Sequence, residues 1–261
     1  MIKLKGLLFG IKKYKSLIYE LVIRDIKIRY KRSVLGLLWT LINPILMMTV
    51  MTLVFSNLFK FDIENFPIYL FAGNIMFSFM VEATTNALYS VTGNGSLIRK
   101  VYIPKYLFPL SKVLSSAVNL FFSFIAMMIV MAFTGVSFTP TLLLAPVLII
   151  YLIIFCIGLG LILATLMVFY RDVAQLYSVI TLAWMYLTPI FYPASLLSDK
   201  SQLFLSLNPM YHYIEYTRDI VLYNAVPSLT QNLTCIGISL VTLVLGLLVF
   251  YKKQDKFILY I

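Results

Sequence analysis

Six long apolar runs punctuate the chain, at about Val34–Leu58, Phe66–Tyr89, Tyr106–Thr134, Thr141–Phe169, Ala174–Tyr192 and Leu229–Tyr251. A hydrocarbon core about 30 Å thick takes roughly 20 apolar residues of helix, so each run predicts a membrane-spanning helix. Ahead of the first run, Leu4, Leu7, Leu8 and Ile11 recur at helical spacing, and Tyr14, Leu17, Ile18, Leu21 and Val22 continue the pattern among Lys3, Lys5, Lys12, Lys13 and Lys15. That pattern predicts an amphipathic helix lying in the membrane interface with its lysines on phosphates. The alternative is a helix packed on a protein partner. Between the fifth and sixth runs, Pro193–Pro227 is too long for a simple connector and too apolar for a solvated loop. Leu196–Leu207 and Met210–Tyr223 read as two short helices broken at Asn208-Pro209. They suit a pair of re-entrant helices, since irregular backbone at membrane depth needs cover from protein or a wet cavity. A hairpin lying on the surface is the other reading.

The fold class that follows is an all-α polytopic membrane protein forming a single domain over residues 1–261. Residues 1–33 form the interfacial segment, 34–192 spans one to five, 193–227 the re-entrant region, 228–251 span six and 252–261 a tail. Composition agrees: 61% of residues are hydrophobic, 12% are charged and the mean hydropathy is +0.95, where a soluble domain carries about 25% charged residues. No cleavable signal peptide is expected, because the first apolar run is too long for one.

Charge then sets orientation. With the N-terminus inside, 18 of the 21 Lys and Arg fall on inside segments and three, Lys60, Lys200 and Arg218, fall outside. Lys and Arg favour the cytoplasmic side, so both termini are expected there. The net charge of +11 is placed for headgroups, and no nucleic-acid partner is expected. Cys156 and Cys235 sit inside apolar runs and read as small buried hydrophobes. His212 is the sole histidine, which argues against a metal site. No Gly-Lys pair occurs, so the chain lacks the phosphate-cradling lysine loop of nucleotide-binding proteins and any ATP is handled elsewhere.

The approach to the first span reads Arg24-Asp25-Ile26-Lys27-Ile28-Arg29-Tyr30-Lys31-Arg32-Ser33-Val34-Leu35-Gly36-Leu37-Leu38-Trp39, then Asn43-Pro44. It resembles the N-terminal signature of ABC-2 type permeases that export O-antigen, capsule and teichoic acid polysaccharides. Leu97-Ile98-Arg99-Lys100-Val101-Tyr102-Ile103-Pro104, Phe169-Tyr170-Arg171-Asp172, and Asn208-Pro209-Met210-Tyr211-His212 with Glu215, Arg218 and Asp219 resemble later blocks of that family. The resemblance implies a non-enzymatic transport subunit, a homodimer, two separate ATP-binding cassette subunits that hold ATP and Mg, and a glycan on a polyprenyl pyrophosphate as substrate. The competing classes are an ABC-2 exporter of a drug or other lipid, a membrane glycosyl or phosphoglycosyl transferase, and a secondary transporter with inverted repeats.

Four groups of residues carry candidate roles. Leu97, Ile98, Arg99, Lys100 and Val101 suit a short helix docking in a groove of the ATPase; topology alone would also place these cations. Tyr177, Thr181, Trp184, Thr188 and Phe191 recur at i, i+4, i+7, i+11 and i+14, one helix face. Their rings and hydroxyls suit a glycan path, with Trp39 and Asn43 at its entrance; helix or lipid packing is the bland reading. Arg24, Lys27, Arg29, Lys31 and Arg32 suit a lipid pyrophosphate, or plain positive-inside anchoring. Glu82 lies within span two, where an ionisable group marks function by default. It is expected to face a wet passage, to bind a partner at a dimer interface, or to meet Arg99 or Lys100.

Overall fold

A computed structural model describes residues 12–31, 33–59, 63, 65–194 and 199–261. Among these residues all regular structure is helical. The elements are α1 (Lys15–Tyr30), α2 (Trp39–Phe59), α3 (Phe66–Leu88), α4 (Gly95–Lys100), α5 (Leu107–Thr134), α6 (Ala145–Phe169), α7 (Val173–Leu187), α8 (Asp199–Ser206), α9 (Pro209–Val221), α10 (Leu229–Lys253) and α11 (Phe257–Tyr260). Among the described residues four helical stretches are long and apolar enough to cross a membrane: Phe66–Leu88, Leu107–Thr134, Pro140–Phe169 and Leu229–Tyr260. Trp39–Phe55 and α7 are apolar but shorter.

The core is organised around α3, which packs on α2, α5, α6 and α9. Its residues Ile68, Leu70, Phe71, Ala72, Met76, Met80, Ala83 and Ala87 are fully enclosed. Its partners bring Met127, Leu148, Leu152, Phe155 and Tyr213 into the same cluster. Outside this cluster many apolar side chains of α2, α7 and α10 stay exposed, as helices in contact with lipid or a further subunit would. Small residues let helices close up. A Cβ on Gly246 would collide with the Gly158 carbonyl, and one on Gly158 with the backbone at Thr242 and Leu243. So α6 and α10 touch backbone to backbone, a contact the apolar periodicity does not announce. Cys156 and Cys235 are free and buried.

At one end, α1 lays Ile18 and Leu21 into a second cluster with Val91, Ile98, Leu107, Phe108, Val168, Phe250 and Phe257. The apolar stripe of α1 therefore meets helices of its own chain. The N-terminal part of the amphipathic pattern, from Leu4 to Ile11, lies outside the described residues, as do Arg32 and Leu196.

The fifth run needs a correction. Its helix ends at Leu187, short of Tyr192. Thr188 is extended, with φ −99° and ψ 131°, because the residue before a proline, here Pro189, is pushed out of the α region. Thr188 and Phe191 therefore do not continue the helix face that carries Tyr177, Thr181 and Trp184. The two short helices after it break at Leu207–Asn208.

Candidate functional site

Polar chemistry concentrates where α1 crosses the ends of α3 and α5. Arg24, Asp25, Ile28 and Arg29 stand at i, i+1, i+4 and i+5, so one face of α1 carries all four. Opposite it stand Asn86 and Tyr89, Gly93 and Asn94, and Lys112 and Ser115 of α5, enclosing a groove of about 620 Å³. The Asp25 carboxylate, 10% exposed, takes Lys112 Nζ at 3.0 Å and Arg24 Nη2 at 3.2 Å. Both terminal nitrogens of Arg24 reach Asn94 Oδ1 at 3.5 Å, the outer limit of a hydrogen bond. Arg24 Nε and Ser115 Oγ are buried there and bond nothing.

Arg29 links this groove to a neighbouring cavity of about 350 Å³ lined by Tyr30, Trp39, Thr40, Asn43, Pro44, Glu82, Asn119 and Ser123. Its Nη1 donates to Glu82 Oε1 at 2.6 Å, and that oxygen also accepts from Asn119 Nδ2 at 2.8 Å and Ser116 Oγ at 3.1 Å. Burial pushes the Tyr30 hydroxyl above its ordinary value; Arg29 opposes this and Glu82 adds to it. Glu82 thus meets Arg29, and neither Arg99 nor Lys100. The structure brings together Arg24, Arg29, Trp39, Asn43 and Glu82 from three separate expectations. It leaves Lys27 and Lys31 on another side of α1, along a cleft with Glu20, Ile23 and Gly36.

Lys112, Ser115, Ser116, Asn119, Asn86 and Asn94 escaped the sequence reading. A signal existed: Lys112, Ser115, Ser116 and Asn119 lie at i, i+3, i+4 and i+7 in an apolar run, and Asn86 is i+4 from Glu82.

Beside the groove, α4 buries Ile98 and half-buries Leu97, while Arg99, Lys100, Val101 and Tyr102 are exposed. It rests on the last helix: Ile261 fills the space a Cβ at Gly95 would need, and Lys105 Nζ donates to the Gln254 carbonyl at 2.6 Å. Burial holds the Lys105 ammonium below its ordinary value, with Asp255 opposing.

The span-five stripe points into the protein. Tyr177 and Thr84 hydroxyls bond at 2.6 Å, and Thr181 Oγ1 donates to the Tyr177 carbonyl. Trp184 packs edge-on against Phe77 and donates to Asn208 Oδ1 at 2.8 Å. Asn208 Nδ2 donates to Thr188 Oγ1, and Asn208 Oδ1 caps α9 at Met210 N. Phe191 stacks on Phe55, with centroids 4.8 Å apart. The outward face of α7 carries Leu176, Val179, Ile180, Leu182, Tyr186 and Leu187 instead.

At the far end, Arg218 is completely buried. It donates to Glu215 Oε1 at 2.9 Å and to the Pro189 and Ile190 carbonyls at 2.9 and 3.3 Å. Its guanidinium lies 3.5 Å over the Tyr69 ring, and Gly73 leaves it room, since a Cβ there would stand 3.2 Å from Nη2. Burial raises the Asp219 carboxyl above its usual range, opposed by a bond from Gln231. His212 Nε2 pairs with the Ser206 carbonyl at 2.8 Å. Among the described residues no cluster of metal-ligating side chains forms.

Residues 16–222, from the start of α1 through the end of α9, match the ABC-2 type transporter family. The chain belongs to that family. The matched region of this ABC-2 transporter holds the groove, the Glu82 knot and the Arg218 site. Over 94% of its length it is 29% identical to the O-antigen export system permease protein RfbA of Myxococcus xanthus, covering 95% of that protein. A Klebsiella pneumoniae protein of the same name is 29% identical, with 90% of each chain covered. The capsule polysaccharide export inner-membrane protein CtrC of Neisseria meningitidis is 26% identical, again with 90% of each covered.

Proposed function

We propose that the chain is the transmembrane permease subunit of an ATP-driven exporter moving lipid-linked polysaccharide across the bacterial cytoplasmic membrane. What carries this reading is the end-to-end similarity to permeases named for O-antigen and capsule export. In this reading α2, α3, α5, α6, α7 and α10 are the six spans, both termini are cytoplasmic, and α8 and α9 dip into the outer leaflet. Two copies form the passage, and two ATP-binding cassette subunits hold ATP and Mg²⁺.

Each part then has a task. Helix α4 is the coupling element: Ile98 and Leu97 anchor it to the bundle, while Arg99, Lys100 and Val101, with Tyr102, face the ATPase. The cationic side of α1 meets the pyrophosphate of the carrier lipid. Trp39 and Asn43, beside Glu82, stand at the entrance. Tyr177, Thr181, Trp184, Thr188 and Phe191 form the back of the passage wall, because their hydroxyls and rings are engaged within the chain. The glycan slides along the opposite, exposed face of α7. Apolar and aromatic groups there stack on sugar C–H faces without a tight code, which suits a long and variable polymer.

The test is lipid extraction from cells depleted of the protein. Glycan still attached to its polyprenyl carrier should accumulate in the cytoplasmic membrane while surface glycan falls. Unchanged surface glycan without accumulation would sink the polysaccharide assignment and favour export of a drug or another lipid.

A further inference from the structure

We infer that α11 is a strut beneath the coupling helix: Ile261 sets the position of α4 through Gly95, and Phe257 ties that position to the end of α6. The inference rests on the exporter reading, which gives α4 its task.

Helix α4 does not hold its own place. Its six residues are too few for a helix to stand alone. Its N-cap makes no side-chain bond, and it buries only Gly95 and Ile98. Its seat is therefore decided by what those two residues meet. Ile98 enters a cluster with Val91, Leu107, Phe250 and Phe257, and Ile261 packs against that cluster. Gly95 meets Ile261 itself. The backbone at Gly95 is right-handed helix, with φ −54° and ψ −41°. Conformation does not call for glycine there, and alanine would favour the helix. Outside its own helix, what a Cβ at Gly95 would strike is the Ile261 side chain alone. The glycine is a seat cut to fit that isoleucine.

Ile261 is in turn fixed. Its N–H closes the last turn of α11 on the Phe257 carbonyl at 3.1 Å. Phe257 is completely buried, edge-on to Phe250 with centroids 5.2 Å apart and to Phe169 with centroids 5.9 Å apart. Tyr260 adds a second edge contact to Phe169 at 4.9 Å. Phe169 is the last residue of α6, and the turn after it leads into α7. On the exit from α4, Lys105 donates to the Gln254 carbonyl at 2.6 Å and lies over the Phe257 ring. The segment from Gln254 to Ile261 thus touches both ends of α4's seat and the base of the turn that carries α7. Close-packed side chains transmit strain, so a push on α4 reaches that turn through Ile261, Phe257 and Phe169. Ile261 and Phe257 are positioning residues in this scheme.

The experiment uses the full chain purified with its ATPase subunits in lipid nanodiscs. ATP turnover is read as kcat and KM, and surface glycan is measured in cells carrying the same variants. Gly95→Ala puts a methyl where Ile261 lies, Ile261→Ala empties the seat, and the double variant moves the methyl across. Each single change should lower kcat by about threefold or more, the scale of coupling between residues in contact. The KM for ATP should not move, since neither residue lies in the nucleotide-binding subunit, and surface glycan should fall with kcat. The double variant should return both to within about twofold of the parent, because residues in contact compensate where independent ones add. Ile261→Val keeps the branch methyl that faces Gly95 and should behave as the parent. Ile261 is only partly buried, so its variants keep the test valid where Phe257→Ala fails to fold. Single variants that match the parent in kcat and export overturn the strut. So does a double variant whose loss is the product of the two single losses, and so do losses that track a fall in Tm and not the fit of the pair. Recovery of ATP turnover by the double variant, in a protein whose depletion traps no glycan, would keep the strut and discard the polysaccharide assignment.

Discussion

Two arginines, at opposite ends of the chain's polar chemistry, are held in different ways. Arg218 is sealed: a carboxylate, two backbone carbonyls and the face of Tyr69 take its guanidinium, and Gly73 yields the space for it. Arg24 is half-open, its best partner is the adjacent Asp25, and its other contacts are at the limit of hydrogen bonding. Both leave Nε unbonded, but only Arg24 does so beside a cavity rich in other cations. A buried charge is tolerated where its partners are fixed. A charge with spare capacity beside a cavity is placed to exchange partners. The far end is built to hold the turn after α7 against α3 and α9, and the α1 end is built to take something in.

The sharpest way to break this contrast is Arg218→Ala. It leaves the Pro189 and Ile190 carbonyls without their donor in a closed site and takes the partner from Glu215, which is 30% exposed; each buried acceptor left unpaired costs about 1–3 kcal/mol. The expected result is a large fall in Tm of the purified protein, or loss of folded chain from the membrane. A variant as stable as the parent would mean that the far end is not the fixed one.

Asn208→Ala comes next. It removes the cap of α9 and the partner of Trp184 Nε1 and Thr188 Oγ1. A lost cap costs about 1 kcal/mol and an unsatisfied buried donor about 1–3, so roughly 2–4 kcal/mol of destabilisation is expected in a denaturation series. Because Asn208 ties α7 to α9, proteolysis near Pro189–Tyr192 should rise in step.

The same contrast explains what could be read from the chain. Helix limits set by apolar periodicity were legible: the second run begins at Phe66 and its helix ends one residue before Tyr89. The fifth run failed because Pro189 acts on the residue before it, so the stripe lost Thr188 and Phe191. In the site, Arg24 and Arg29 were legible as cations near headgroups. Their division from Lys27 and Lys31 was not, since it depends on how Ile18 and Leu21 seat α1. Lys112 counts only among the 18 inside cations, and nothing in the sequence singles out Asn94. What makes them functional candidates is distance to α1, across about 70 to 90 residues of sequence, and no local pattern encodes that. Gly158 and Gly246 escaped for the same reason.

The smallest stability effect is expected at the α1 end, from Glu82→Gln. The amide keeps an oxygen for Ser116 and Asn119 and gives up the ion pair with Arg29. Both partners of that pair are 35% exposed, and such pairs contribute about 0–1 kcal/mol. The Tm should therefore move little, in contrast to Arg218→Ala. Function should move more. Arg29, no longer drawn toward Glu82, adds its full charge to the groove, and binding of a pyrophosphoryl lipid should tighten by about threefold to tenfold, the range of one ordinary hydrogen bond. The comparison is then decided by which quantity responds. Tighter binding at constant stability makes Glu82 the group that holds Arg29 back until a ligand arrives. A fall in stability matching that of Arg218→Ala, with affinity unchanged, would make the Glu82 knot a second structural pin and erase the difference between the two ends.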